Sequence, residues 1–182
     1  MRRRNLRSAS VRESSDDIGD LQSLLDESHA GAGRHLRSIF DDEHRLGAER
    51  LVAALDGIFE MHLAIVAENG APLVAPVDGI FYKGQVWFGL VAGSVRERRL
   101  HREPRVSASY TRDSFALIVH GMAQPADESS TAYAEYDTLM RELYVGVYGP
   151  GWVDWYEQMR RDRKPGSGFI GWIAARAMFA KA

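Results

Sequence analysis

The feature that most constrains this chain is a succession of short apolar runs between Met61 and Ala123, each closed by a tight-turn signal. Met61 to Ala67 is compact and apolar, Asn69-Gly70 is a hairpin dipeptide, and Pro72 to Val77 resumes an extended pattern. Lys83-Gly84 marks a second turn into Gln85 to Leu90. Arg105 to Thr111 then sets Val106, Ala108 and Tyr110 on one side against Ser107 and Ser109 on the other. Arg112-Asp113 turns the chain into Phe115 to Ala123, apolar almost throughout. Four or five strands at such spacing predict an antiparallel sheet or barrel and argue against a βαβ fold.

Helical periodicity flanks this block. Leu36, Ile39 and Phe40 share one face, as do Leu51, Val52 and Leu55, with Gly47 between two short helices and Gly57 at a C-terminal cap. After Pro125, the spacing of Tyr133, Tyr136, Leu139, Met140 and Leu143 predicts an amphipathic helix. Gly149-Pro150-Gly151 breaks it, Trp152 to Arg163 reads as a second helix, and Phe169 to Ala180 reads as one or two short strands. The predicted organisation is a flexible tail over 1–30 and a single domain over 31–182. Within that domain, 31–60 is a helical extension, 61–127 the barrel core, and 128–182 helices and final strands.

Composition narrows the function. With 182 residues the chain is long enough for one well-buried domain. A net charge of -2 argues against a dedicated nucleic-acid binder. The absence of cysteine removes disulfides, thiolate metal sites and cysteine nucleophiles together. No apolar run approaches the ~20 residues that span a bilayer, and the start Met1-Arg-Arg-Arg-Asn-Leu-Arg7 lacks the apolar core of a secretory signal. The expected setting is cytoplasmic, with no membrane and no nucleic-acid partner. The basic, serine-containing start fits a transit peptide, a phosphate-binding arm or a disordered tail, and fraying of termini favours the tail.

Chemistry concentrates where a strand feeds a helix, in Trp87-Phe-Gly-Leu-Val-Ala-Gly-Ser94 followed by Val95-Arg-Glu-Arg-Arg-Leu100. A helix entrance at Gly93-Ser94 offers unpaired N–H groups, and Arg96, Arg98 and Arg99 add charge suited to a phosphate. The competing reading is a capped surface helix with solvated arginines.

The order of these pieces resembles the flavin-binding split-barrel family related to pyridoxamine 5'-phosphate oxidase. His62 to Asp78 resembles that family's opening hairpin. Val86 to Tyr110 is similar to its second signature: a strand, a Ser-x-Lys/Arg-x-Arg phosphate loop, then Leu-x-x-x-Pro-Arg-Val-Ser, here Leu100 to Ser107. His120-Gly121-Met-Ala123 is similar to its next strand. The likeness covers about Met61 to Asp127, and the C-terminal third only loosely.

The resemblance implies an α+β fold: a six-stranded antiparallel split β-barrel of the FMN-binding type with N-terminal and C-terminal helices. It implies a homodimer holding flavin mononucleotide (FMN) at the subunit interface, with the deazaflavin F420 as the alternative cofactor. It places Ser94, Arg96 and Arg98 at the cofactor phosphate, Pro76, Val77 and Asp78 along the ring edge, and Trp87, Phe88 and Gly89 on the strand beside the ring. The implied activity is an oxidoreductase acting on a small molecule, without a nucleophile–base pair of the protein's own. A non-catalytic flavin- or haem-binding protein is the reading from another class. The end, Gly168 to Phe179, keeps Trp172 and Arg176 but lacks the family's Arg-Leu-x-Pro continuation, which argues against vitamin B6 oxidation.

Two further groups carry competing readings. His120 lies in an apolar strand, as a haem ligand or, more simply, a satisfied core or interface histidine. Tyr144, Tyr148, Trp152, Trp155 and Tyr156 either cover the cofactor groove or pack two helices on the barrel, the second being the simpler expectation.

Overall fold

The computed structural model describes residues 13–164 and 167–182. Its centre is a closed antiparallel barrel in the order β1-β2-β3-β6-β5-β4. The strands are β1 (Ile58–Val66), β2 (Pro72–Tyr82), β3 (Gln85–Leu90), β4 (Arg105–Arg112), β5 (Phe115–Pro125) and β6 (Phe169–Lys181). The helices are α1 (Ser15–Gly31), α2 (Arg34–Ile39), α3 (Ala48–Ala54), α4 (Val95–Leu100), α5 (Thr131–Tyr148) and α6 (Gly151–Asp162). Among the described residues, no helix is long and apolar enough to cross a membrane.

The turns act where the sequence reading placed them. Lys83 and Gly84 both have positive φ, 50° and 70°, which is the backbone a two-residue hairpin needs to match strand twist. Alternation along the strands then sends Met61, Leu63, Val86, Phe88, Val119 and Ile173 into one barrel core. The opposite face of β2 and β3 is also buried. Ile80, Tyr82 and Trp87 form a second cluster with Tyr136, Leu139, Met140 and Tyr156, under α5 and α6. Residues 86–88 are buried without interruption because both faces of the strand are covered.

Three expectations change. The stretch assigned to a flexible tail contains α1 from Ser15 onward, and only residues 1–12 of that assignment lie outside the described residues. Ser14 and Asp17 form a capping box, Leu21 and Leu25 are buried, and the Ser28 hydroxyl accepts from the Met178 N–H at 2.9 Å. The helix therefore covers β6. At the other end, the predicted one or two short strands are one strand of 13 residues, with a register shift opposite His120 and Gly121. β2 runs on from Val77 to Tyr82, because its second half is sandwiched between the barrel core and α5.

Candidate functional site

The outward residues of β2 and the end of β3 face α5 and α6 across a cavity of about 880 Å3. Such a volume is within the range of sites that enclose a small-molecule ligand. Pro76, Val77 and Asp78 line one wall, Gly89 to Ala92 continue it, and Arg96 reaches it from α4. The opposite wall is aromatic. Tyr144 stacks on Trp152 with centroids 4.6 Å apart and planes at 14°, and Trp152 stacks on Tyr156 at 4.8 Å and 12°. Tyr148 extends the same stack from Tyr144 at 5.9 Å. Gly149, with φ of 85°, reverses the chain so that α5 and α6 contribute together.

Polar groups are few and placed at intervals. The Tyr144 hydroxyl donates to an Asp78 carboxylate oxygen at 2.7 Å. The Arg96 guanidinium donates to the Pro76 carbonyl at 3.3 Å. Two other cations on the wall, Arg160 and Arg163, are already neutralised: Arg160 meets Asp137 and Glu128, and Arg163 meets Glu128 at 2.6 Å. Among the described residues, Arg96 is the cavity-lining cation without a carboxylate partner.

The residues singled out in the sequence divide accordingly. Pro76, Val77, Asp78, Gly89 and Arg96 line the cavity. Ser94 and Arg98 stay in the turn and helix beside it. The Ser94 hydroxyl accepts from the Glu97 N–H at 3.1 Å and so caps α4, while Arg98 donates to the Gly93 carbonyl. Glu97, 5% exposed, turns its carboxylate back on the Gly93 N–H at 3.3 Å and His101 Nε2 at 3.1 Å. Two donors of the turn are thereby satisfied internally. Phe88 points into the barrel core and Trp87 packs beneath α5, so β3 approaches the cavity through Gly89 and Leu90 rather than through these rings.

The aromatic group packs the helices on the barrel, as the simpler expectation has it, with Tyr144, Trp152 and Tyr156 in the second cluster, and all five rings also line the cavity. His120 is exposed on the barrel's outer surface with Nδ1 2.8 Å from the Ser107 hydroxyl, and it does not line the cavity. Sequence reasoning missed Tyr136 and Met140 as wall residues. Their spacing signals a buried helix face, but not that part of the face opens onto a cavity.

Burial raises the ionisation of Tyr136, Tyr144 and Tyr156 above the ordinary phenol value of 10.0, and for Tyr144 the hydrogen bond to anionic Asp78 acts in the same direction. A raised folded-state value means the folded chain holds its phenol protons longer than the unfolded chain. Stability is then complete below about pH 10 and is lost as pH rises beyond it. The expected result is cooperative alkaline unfolding that begins near pH 10, together with a tyrosine absorbance titration delayed to the same transition. Independent titration of all tyrosines near pH 10 in a still-folded protein would contradict this.

No family model matches the sequence, and no curated protein matches it. Solved structures do. A conserved hypothetical protein from Mycobacterium tuberculosis superposes with a TM-score of 0.59 at 15% identity, over 78% of this chain and 88% of that one. The haem storage protein HutZ from Vibrio cholerae gives 0.51 at 14% identity, over 73% and 92%. A protein of unknown function from Agrobacterium tumefaciens gives 0.50 at 16% identity, covering 71% of this chain and 54% of its own. The six-stranded closed barrel and this likeness together give the chain the split β-barrel fold that its sequence resemblance implied.

Proposed function

We propose that the cavity between β2, β3 and the α5–α6 hairpin binds a phosphate-bearing flavin, FMN in the first instance, and that the protein is a flavin-dependent oxidoreductase for a small molecule. The observation that carries this reading is the pairing of a stacked aromatic wall with Arg96, whose charge no carboxylate among the described residues neutralises. The donor set fits the group. A conjugated ring system matches flat aromatic walls, and an anion matches an unneutralised guanidinium. A bound flavin supplies hydride or electron transfer at its own ring, so the protein needs no nucleophile–base pair.

In this reading each side chain has a limited task. Arg96 holds the phosphate, Ser94 shapes the turn that presents Arg96, and Arg98 adds positive potential from the next turn of α4. Pro76, Val77 and Asp78 with Gly89 form the wall beside the ring, and Trp87 and Phe88 hold β3 in register behind it. Tyr144 fixes Asp78 by its hydrogen bond, which keeps that carboxylate from drifting toward an anionic ligand. The chain acts as a homodimer, with the cofactor groove beside the subunit contact.

The test is the visible spectrum of the purified protein, followed by titration of the colourless fraction with FMN, F420 and haem. Saturable binding of FMN with a dissociation constant in the micromolar range or below is expected. Preference for F420 would keep the site and change the cofactor. Binding of haem alone, or of none of the three, would remove the flavin reading. Reduction of the bound flavin, and reoxidation by candidate acceptors, then separates an enzyme from a flavin carrier.

A further inference from the structure

The cavity contains one buried polar group that neither the fold nor the phosphate reading uses. Tyr136 on α5 is 3% exposed, lines the cavity, and makes no hydrogen bond through its hydroxyl among the described residues. The hydroxyl of its neighbour Tyr133 is sealed off as well as unpartnered, whereas that of Tyr136 is not among the sealed atoms. With Tyr136 on the cavity wall, that unsealed hydroxyl is available to an occupant of the cavity. A phenol placed there has no protein partner, so an occupant that displaces water from the cavity must itself supply the acceptor.

Its position is fixed. The ring stacks on Trp87 with centroids 4.3 Å apart and planes at 22°, and Trp87 pairs with Ile80 in the sheet. Along the same face of β2, residues 76, 78 and 80 therefore carry three different groups: Arg96 at Pro76, Tyr144 at Asp78, and Tyr136 beside Ile80. Four residues of strand separate the first from the last by about 13 Å. The cavity wall thus carries a cation without a carboxylate partner at Pro76 and a neutral donor beside Ile80. Burial raises the ionisation of Tyr136, so it remains a protonated phenol across the physiological range.

We infer that Tyr136 is the group that grips the head of the ligand: its hydroxyl donates a hydrogen bond to an acceptor atom, such as a carbonyl oxygen, on the conjugated ring of the cavity's occupant. This rests on the flavin reading and adds to it a positioning residue at the ring end. A ligand suited to both ends has an anionic tail for Arg96 and a flat, uncharged, acceptor-bearing head for Tyr136.

Tyr136→Phe removes the hydroxyl and keeps the ring stack. Three quantities are measured on wild type and variant: the thermal midpoint without ligand, the FMN dissociation constant, and the absorption maximum of bound FMN. The inference expects an unchanged or raised midpoint, since the hydroxyl has no protein partner to lose. It expects FMN binding weakened about 2- to 13-fold, the scale of one neutral hydrogen bond, and a displaced absorption maximum. A role confined to packing would leave the constant and the spectrum alone. Unchanged affinity and spectrum, with wild type still binding FMN, would overturn the role of Tyr136 and leave the flavin site standing. A variant that unfolds or melts well below wild type would also overturn it, by showing that the hydroxyl has a structural partner. Failure of wild type itself to bind FMN is the separate outcome that removes the flavin reading.

Discussion

Gly171→Ala is expected to prevent the barrel from closing. Gly171 sits in β6 opposite Phe88 of β3 and Pro125 of β5, so it is bonded on both sides. A Cβ there would overlap the carbonyl oxygen of Gln124, lie 2.9 Å from the Gln124 carbonyl carbon and 3.0 Å from Phe169 Cζ. The first two obstacles are backbone, which no rotamer change relieves. Separating the strands would break the ladder on which β6 depends, at a cost of about 4 kcal/mol or more. That approaches the whole stability of a domain at the lower end of the usual ~5–15 kcal/mol range. Urea unfolding followed by circular dichroism should show an unfolded or barely folded variant. Gly89→Ala is the control, because its Cβ would meet Phe169 O at 3.6 Å, an ordinary contact. Wild-type stability of Gly171→Ala would mean that β5 and β6 do not approach as described.

The second large effect belongs to Phe88, which the family resemblance places beside the flavin ring. Its side chain is 1% exposed and stacks on Phe169 in the barrel core, with centroids 5.0 Å apart and planes at 23°. Phe88→Ala therefore removes a large buried ring and leaves a void beside Phe169 in that core. About 3–5 kcal/mol of stability should be lost. Where the variant is still folded, at low temperature and without denaturant, its FMN affinity should stay close to wild type, because the ring does not line the cavity. A stable variant with weakened FMN binding would return Phe88 to the cofactor wall.

The barrel was legible because its strands obey a period of two and its turns carry their own chemistry. Lys83-Gly84 closes a hairpin in the structure as its composition implies. Helix α1 was not legible. Ser14 and Asp17 fall in the stretch assigned to a flexible tail, and only three residues of the helix are buried, Leu21, Leu25 and Ser28. Its stability comes from docking on β6, a tertiary contact that leaves little periodicity behind. The site was legible in part. The sequence singled out Ser94, Arg96 and Arg98 together, but spacing alone does not show that Ser94 is consumed as a helix cap while Arg96 reaches the cavity wall. Tyr136 shows the same limit from the other side. Its place on an amphipathic face was visible, but a cavity exists only where two elements fail to fill the space between them.

The central claim is that Arg96 receives the phosphate of a flavin lying against the aromatic wall. Dissociation constants for FMN and for riboflavin, which lacks the phosphate, measured with wild type and Arg96→Ala, test it most directly. Wild type should bind FMN more tightly than riboflavin. Arg96→Ala should weaken FMN by about 1.5–3 kcal/mol, the scale of a hydrogen bond to a charged group, and leave riboflavin nearly unchanged. Equal losses for both ligands, or no loss for either, would contradict the account.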